Sequence, residues 1–174
     1  MDERRGIEKA KSIPQGFKRK LYVVALLTEE LKPHGIRPIV VGGAAVEFYT
    51  LGGYTTLDID LVSGGYELID SILRGWGFIK RGRFWESREL EIAIEVPDEE
   101  LAGSYDKVTE IEVDGMNVYI IGVEDLIIDR LNAYVYWRSE RDGEQARQLM
   151  AIHGEEIDWE YLKGRAEEEG VLEA

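Results

Sequence analysis

Apolar positions in the first part of the chain recur at helical spacing. Leu21, Val24, Leu27 and Leu31 lie three or four residues apart, which predicts a helix over residues 16–36, ended by Lys32-Pro33-His34-Gly35. Residues 38–41 are a short apolar run, read as a buried strand that stops at Gly42-Gly43. Residues 44–51 then form a compact helix closed by Gly52-Gly53. From residue 57 to 62 the period changes to two, with Leu57, Ile59 and Leu61 on one face and Asp58 and Asp60 on the other. Residues 66–74 predict a second amphipathic helix, capped by Gly75. Residues 78–85 and 90–96 read as strands of an antiparallel stretch with Pro97 as the stop; Glu91, Ala93 and Glu95 alternate with Ile92, Ile94 and Val96. Residues 108–113 and 116–121 predict a hairpin about Asp114-Gly115. The remainder is helical, over residues 123–137, 142–152 and 158–169. The pattern therefore predicts a mixed α/β core over residues 1–121 and a C-terminal helical segment, 122–174, packed on it as a single compact unit.

Composition narrows what that unit does. At 174 residues, 44% hydrophobic and 32% charged, the chain is long enough for a proper core and too apolar for disorder. It has no run of eighteen apolar residues and no signal-type start, so a cytoplasmic protein without membrane spans is expected. Cysteine is absent and the two histidines, His34 and His153, stand far apart, which rules out disulfides and thiolate zinc and disfavours a histidine site. A metal here takes oxygen ligands, which favours magnesium, manganese or calcium. Two asparagines and three glutamines beside plentiful Glu, Arg and Lys lean towards a thermophilic source.

The net charge of −14 argues against an indiscriminate nucleic-acid coat. It is unevenly spread. Residues 1–37 hold nine basic and five acidic groups, whereas residues 84–174 hold eight basic and twenty-five acidic. Arg74, Lys80, Arg81 and Arg83 form a basic stretch, either a solvated surface or a contact for a triphosphate or an RNA backbone.

The aspartates carry the candidate chemistry. A buried carboxylate is expensive unless paired or metal-bound, and Asp58 and Asp60, two apart on one strand, point to the same side. That spacing suits two oxygens converging on divalent ions, and a third carboxylate on a neighbouring strand completes a clamp for phosphoryl-type transfer. Glu95 is the best candidate for the third, with Glu91 next. Gly42-Gly43, opening from a strand into a helix, lets backbone N–H groups approach a phosphate at a positive helix end. Tyr54, in the glycine turn, is a candidate contact for a nucleobase or an acceptor. Tyr134, Tyr136 and Trp137 read as core aromatics or, alternatively, as a stacking surface. Arg130 either pairs with Asp142 between helices or faces the triphosphate.

The segment VGGAAVEFYTLGGYTTLDIDLV resembles the first motif of the nucleotidyltransferase superfamily, the DNA polymerase β-like fold. It looks closest to minimal nucleotidyltransferase-like proteins, including relatives of AbiEii-type toxins. The resemblance implies an α+β fold, a small mixed β-sheet core flanked by helices. It implies that Gly42 and Gly43 form the phosphate-binding turn, with Thr55 and Thr56 just before the metal pair Asp58 and Asp60, and Glu95 as the third carboxylate by context. The later stretch VEDLIIDRLNAYVYWRSERDGEQARQLM is similar to the helical segment of such proteins and sets Arg130 where relatives often carry lysine. Gly43 departs from the serine common there, and Glu95 from the commoner aspartate. The activity implied is transfer of a nucleoside monophosphate from an NTP to a hydroxyl, with Mg²⁺ or Mn²⁺ as cofactor and tRNA, another RNA or a protein as acceptor. Two further expectations stand beside it. One is a non-catalytic relative acting as an antitoxin-like or regulatory protein partner. The other is a small-molecule enzyme for a cationic, aminoglycoside-like acceptor.

Overall fold

The computed structural model describes residues 3–56 and 58–174. Leu57, assigned above to the second strand, lies outside the described residues. The chain opens with α1 (Glu3–Ser12) and α2 (Phe17–Leu31), then a 3-10 turn (Lys32–His34) that ends at Gly35 with a left-handed φ of 71°. Next come β1 (Ile39–Val41), α3 (Gly42–Tyr49), β2 (Asp58–Val62) and α4 (Tyr66–Gly75). β3 (Ile79–Arg81), β4 (Phe84–Ser87) and β5 (Ile92–Asp98) follow, and after a 3-10 turn (Tyr105–Lys107) β6 (Thr109–Val113) and β7 (Met116–Ile120). The helices α5 (Val123–Trp137), α6 (Glu140–His153) and α7 (Trp159–Glu169) close the chain.

The strands form one mixed sheet in the order β3-β4-β5-β2-β1-β7-β6. Its centre is set by β1 and β2, which run antiparallel to each other and parallel to their outer neighbours β7 and β5. Ile39, Ile59, Leu61, Ile94, Val118 and Ile120 are all buried on these strands, and the apolar face of α2 (Tyr22, Val23, Leu27, Leu31) closes over the sheet at β7. α3 packs on β1 and β2 and is itself covered by α5 and α6. The expected α+β architecture is therefore what the chain adopts. Among the described residues no helix is long and apolar enough to cross a membrane.

Four local differences from the sequence pattern have physical reasons. The stretch read as one strand over 78–85 is a hairpin, β3 and β4, turning at Gly82 with φ 59°. β5 runs through Pro97 to Asp98, because the ladder slips between Asp60–Glu95 and Val62–Asp98 and leaves Pro97 in a bulge that needs no N–H. α3 begins at Gly42, two residues earlier than its apolar pattern. α1 was not expected: its only buried apolar side chains are Ile7 and Ala10, too few to make a period, and Gly6 lets it close on Leu26, where a Cβ would come 2.8 Å from Leu26 Cδ2.

Asp125 ties the C-terminal helices to the rest. Its Oδ2 accepts the Ser104 N–H at 2.8 Å, and its Oδ1 accepts the Tyr161 hydroxyl at 2.7 Å and Arg165 Nε at 3.3 Å. A buried carboxylate is tolerable here because three donors from two segments converge on it.

Candidate active site

β1 and β2 deliver the candidate groups to one place. The antiparallel pairing sets Val41, the residue before the glycines, opposite Asp60. On the other side the parallel pairing sets Asp60 opposite Glu95, and Asp58 opposite Ala93. Paired residues on neighbouring strands project to the same face, with strands about 4.8 Å apart. Asp58, Asp60 and Glu95 therefore share a face, while Ile59, Leu61 and Ile94 fill the core behind them.

Gly42 lets the carboxylate face meet α3. Its φ of 61° suits glycine, and a Cβ on it would lie 2.5 Å from Asp60 Oδ2 and 3.3 Å from Cγ. The Asp60 carboxylate thus occupies the space a side chain would take. Gly43 differs, since a Cβ there would rest 3.4 Å from the Tyr54 ring and 3.5 Å from the Thr56 methyl, ordinary contacts. No described side chain caps the first turn of α3. Its leading N–H groups and the positive end of the helix dipole thus lie at the end of α3 that adjoins Asp60.

Burial pushes the Asp60 carboxyl up to about 6, and the charges of Glu95 and Asp58 push the same way, against Arg130 and Arg83. An aspartate serving as an ordinary helix cap would be held low instead. Asp60 is thus a crowded anion short of positive charge. Arg83, exposed on the β3–β4 turn, brings Nε to 3.3 Å from Glu95 Oε1. Among the described residues no three carboxylate or imidazole side chains are gathered into a ready-made metal site. The donor set nonetheless fits a hard divalent cation, since magnesium is typically held by one or two carboxylates plus the oxygens of a bound phosphate.

The other expected residues are distributed as follows. Arg130 is held by Asp129, by Asp142 Oδ1 at 3.1 Å and by Gln145 Oε1 at 3.3 Å, so it is a helix-packing pair and at the same time close enough to act on Asp60. Tyr54 backs Gly43 and carries the Arg141 guanidinium 4.8 Å from its ring centre. Thr56 Oγ1 accepts the Asp58 N–H at 3.3 Å, and Thr55 is exposed beside it. Glu91 precedes β5 with φ 56°, outside the β2–β5 pairing, and so does not share the carboxylate face. Of the basic stretch, Arg74 pairs with Asp70, Arg81 with Glu86, and Lys80 sits over the Trp85 ring; Arg83 alone of the four meets a candidate carboxylate. Tyr134 packs against Gly143, half-buried; Tyr136, whose hydroxyl donates to Glu169 O, and Trp137 are both exposed, so neither is the core aromatic its spacing suggested.

Sequence reasoning missed Lys20 and Glu47, a buried ion pair beneath the loop that leads to Asp58. The signal was present: Lys20 interrupts the apolar face of α2, and Glu47 stands between Val46 and Phe48 in an otherwise apolar helix. It missed His153 too, whose Nε2 lies 2.6 Å from Tyr49 O at the end of α3.

A cavity of about 390 Å³ opens from Gly42 and Asp60 along β5 and α5. Its walls carry Asp98, Glu100, Asp129 and Glu169 as well as Arg130 and Arg165.

The fold as a whole is similar to that of solved nucleotidyltransferase-like proteins. The crystal structure of an antigenic nucleotidyltransferase-like protein from Paracoccidioides brasiliensis superposes with a TM-score of 0.59 over 92% of this chain and 87% of that chain, at 16% identity. The solution structure of the antibiotic-resistance factor ANT(2'')-Ia gives a TM-score of 0.54 over 88% of this chain and 94% of that chain, also at 16% identity. Identity at that level speaks for the fold. No family model and no curated protein sequence matches the chain.

Proposed function

We propose that this chain is a metal-dependent nucleotidyltransferase, moving a nucleoside monophosphate from an NTP to a hydroxyl acceptor. The observation that carries the reading is the meeting of Asp60 with Gly42. A carboxylate raised to about 6 and aligned with Glu95 lies against the uncapped N-terminus of α3. The burial of Asp60 and its crowding with Glu95 and Asp58 are unfavourable for the protein alone and are relieved by a cation, while the adjoining helix end suits the phosphate that comes with it.

In this reading Gly42, Gly43 and the first N–H groups of α3 hold the triphosphate. Asp58 and Asp60, with Glu95 beside them, hold Mg²⁺ or Mn²⁺. When bound, the divalent ion supplies the positive charge that neutralises the phosphate oxygens of the nucleotide. The acceptor hydroxyl oxygen forms a bond to the α-phosphorus, the bond from that phosphorus to the bridging oxygen breaks, and pyrophosphate leaves. The hydroxyl proton passes to a carboxylate oxygen of Asp60 or Glu95. Positioning and charge supply most of the acceleration in such transfers, which suits a site without histidine. Arg130 and Tyr54 border the nucleotide, and Thr55 and Thr56 shape the turn beside it.

The acceptor is argued from the cavity. Its acidic walls disfavour a polyanionic RNA strand in that space and favour a compact hydroxyl-bearing molecule with positive charge. An RNA or protein acceptor, as in a toxin-like enzyme, would reach the site from outside the cavity. The test is label transfer from α-labelled NTPs with Mg²⁺ to three acceptor classes in parallel: polyamine and aminoglycoside alcohols, total tRNA, and lysate protein. Transfer to any of them that disappears in Asp58→Ala/Asp60→Ala supports the reading, and the labelled class names the acceptor. Mg²⁺-dependent cleavage absent with all three would leave the non-catalytic, antitoxin-like partner as the better account.

A further inference from the structure

Lys20 on α2 and Glu47 on α3 form an ion pair whose side chains are only 9% and 4% exposed. Stability does not explain it. Removing two charges from water offsets most of what their attraction returns, and apolar residues of similar size usually serve a core as well or better. The pair is placed where it does something else.

Lys20 Nζ donates a second time, to the main-chain oxygen of Thr56. Thr56 is two residues before Asp58, and its Oγ1 accepts the Asp58 N–H at 3.3 Å. The Thr56 methyl also lies against Gly43, at 3.5 Å from where a Cβ would stand. One ammonium group therefore joins α2, α3 and the segment that carries the first aspartate, at the point where that segment touches the glycine turn. Gly52 N–H reaches Glu47 O at 3.1 Å and Gly53 N–H reaches Thr50 O at 3.0 Å, and sheet pairing of β2 with β5 starts only at Asp58–Ala93.

We propose that Lys20 and Glu47 are positioning residues for the metal site. The pair pins Thr56 and so fixes where Asp58 stands relative to Asp60 and the turn at Gly43. Glu47 orients the ammonium, and Lys20 carries the restraint to the loop. What is positioned rests on the nucleotidyltransferase reading; that the segment is pinned does not. Partners of this kind, one step behind metal-binding groups, characteristically govern affinity without touching the ion.

The test is the packing-conserving double variant Lys20→Met/Glu47→Leu, compared with the native chain at pH 7 by thermal unfolding, amide hydrogen exchange and Mn²⁺ calorimetry. The expected result is a melting temperature equal to or above the native one. Exchange across residues 50–58 rises about tenfold, with β1 and β7 unchanged. Mn²⁺ affinity falls about tenfold or more, and turnover falls in kcat with KM for the NTP within about twofold. Unchanged exchange across 50–58, or unchanged Mn²⁺ affinity beside a native chain that binds Mn²⁺, overturns the proposal. So does faster exchange everywhere with a lower melting temperature, the mark of a merely structural pair. If the double variant does not fold, Thr56→Val carries the test. It keeps the clamp on the main chain and removes the acceptor of the Asp58 N–H, so Mn²⁺ affinity falls if the chain of contacts is right and holds if it is wrong. A native chain that binds neither Mn²⁺ nor NTP, with faster exchange in the double variant confined to 50–58, sinks the nucleotidyltransferase reading and leaves the clamp standing.

Discussion

Two adjacent glycines do different work. Gly42 combines a left-handed φ with a Cβ position 2.5 Å from Asp60 Oδ2, so Gly42→Ala meets both backbone strain and a carboxylate it must displace. The backbone part alone costs about 1–2 kcal/mol, and on the proposed nucleotidyltransferase reading the displaced carboxylate adds a loss of Mn²⁺ affinity. Gly43 meets only ordinary contacts, so Gly43→Ser changes stability by no more than about 0.5 kcal/mol. Urea unfolding of the two variants checks the contrast, and equal destabilisation would contradict it. Asp60 itself makes a pH prediction. Because the folded chain holds this carboxyl at about 6, above the ordinary 3.8, the folded state keeps the proton more readily. Its contribution to stability is complete below about pH 4 and is lost as the pH rises through 6. Asp60→Asn removes that loss. Without metal, the variant has the higher urea midpoint at pH 7, and the gap closes towards pH 4. A gap that is constant with pH would show that the charge is not what strains the site.

At the scale of elements, period was legible where one face is buried and one is wet. β2 alternates as read because Asp58 and Asp60 face the site while Ile59 and Leu61 face the core. α5 keeps its read bounds, and the Asp114-Gly115 turn sits between β6 and β7 as its residues require. The two strands hidden in 78–85 were not legible, since nothing in a local pattern says that Gly82 turns rather than bulges. The β5 bulge at Pro97 depends on a partner strand 35 residues earlier in the chain, so a proline that looks like a stop is carried through. The candidate site was legible through Gly42, Asp58 and Asp60, which are close in sequence. The alignment of Glu95 with Asp60 follows from a parallel pairing that sequence spacing cannot fix, and Lys20 reaches the loop only because the start of α2 meets α3, at Lys20–Glu47 and Phe17–Phe48. The docking of α7 also rests on long-range contacts. Tyr161→Phe removes one of the donors on the buried Asp125 and is expected to cost about 1–3 kcal/mol of stability. Chemical denaturation with no change in midpoint would show that Arg165 and the Ser104 N–H suffice.

At the scale of the molecule, the sheet brings three carboxylates to one face while charge is distributed very unevenly along the chain. The acidic remainder of the sequence surrounds a cavity that begins at Asp60, and the positive groups nearest the carboxylates, Arg83 and Arg130, are both already engaged. A protein arranged this way has anionic charge in excess beside a helix end whose first turn no side chain caps. That excess is what a nucleotide with its cation is expected to resolve. The most direct measurement is calorimetric titration of each NTP into the native chain with and without Mg²⁺, beside Asp58→Ala/Asp60→Ala. The account predicts NTP binding that requires Mg²⁺ and disappears in the double variant. Binding of equal strength in the double variant, or no binding of any NTP by the native chain with Mg²⁺ present, would contradict it.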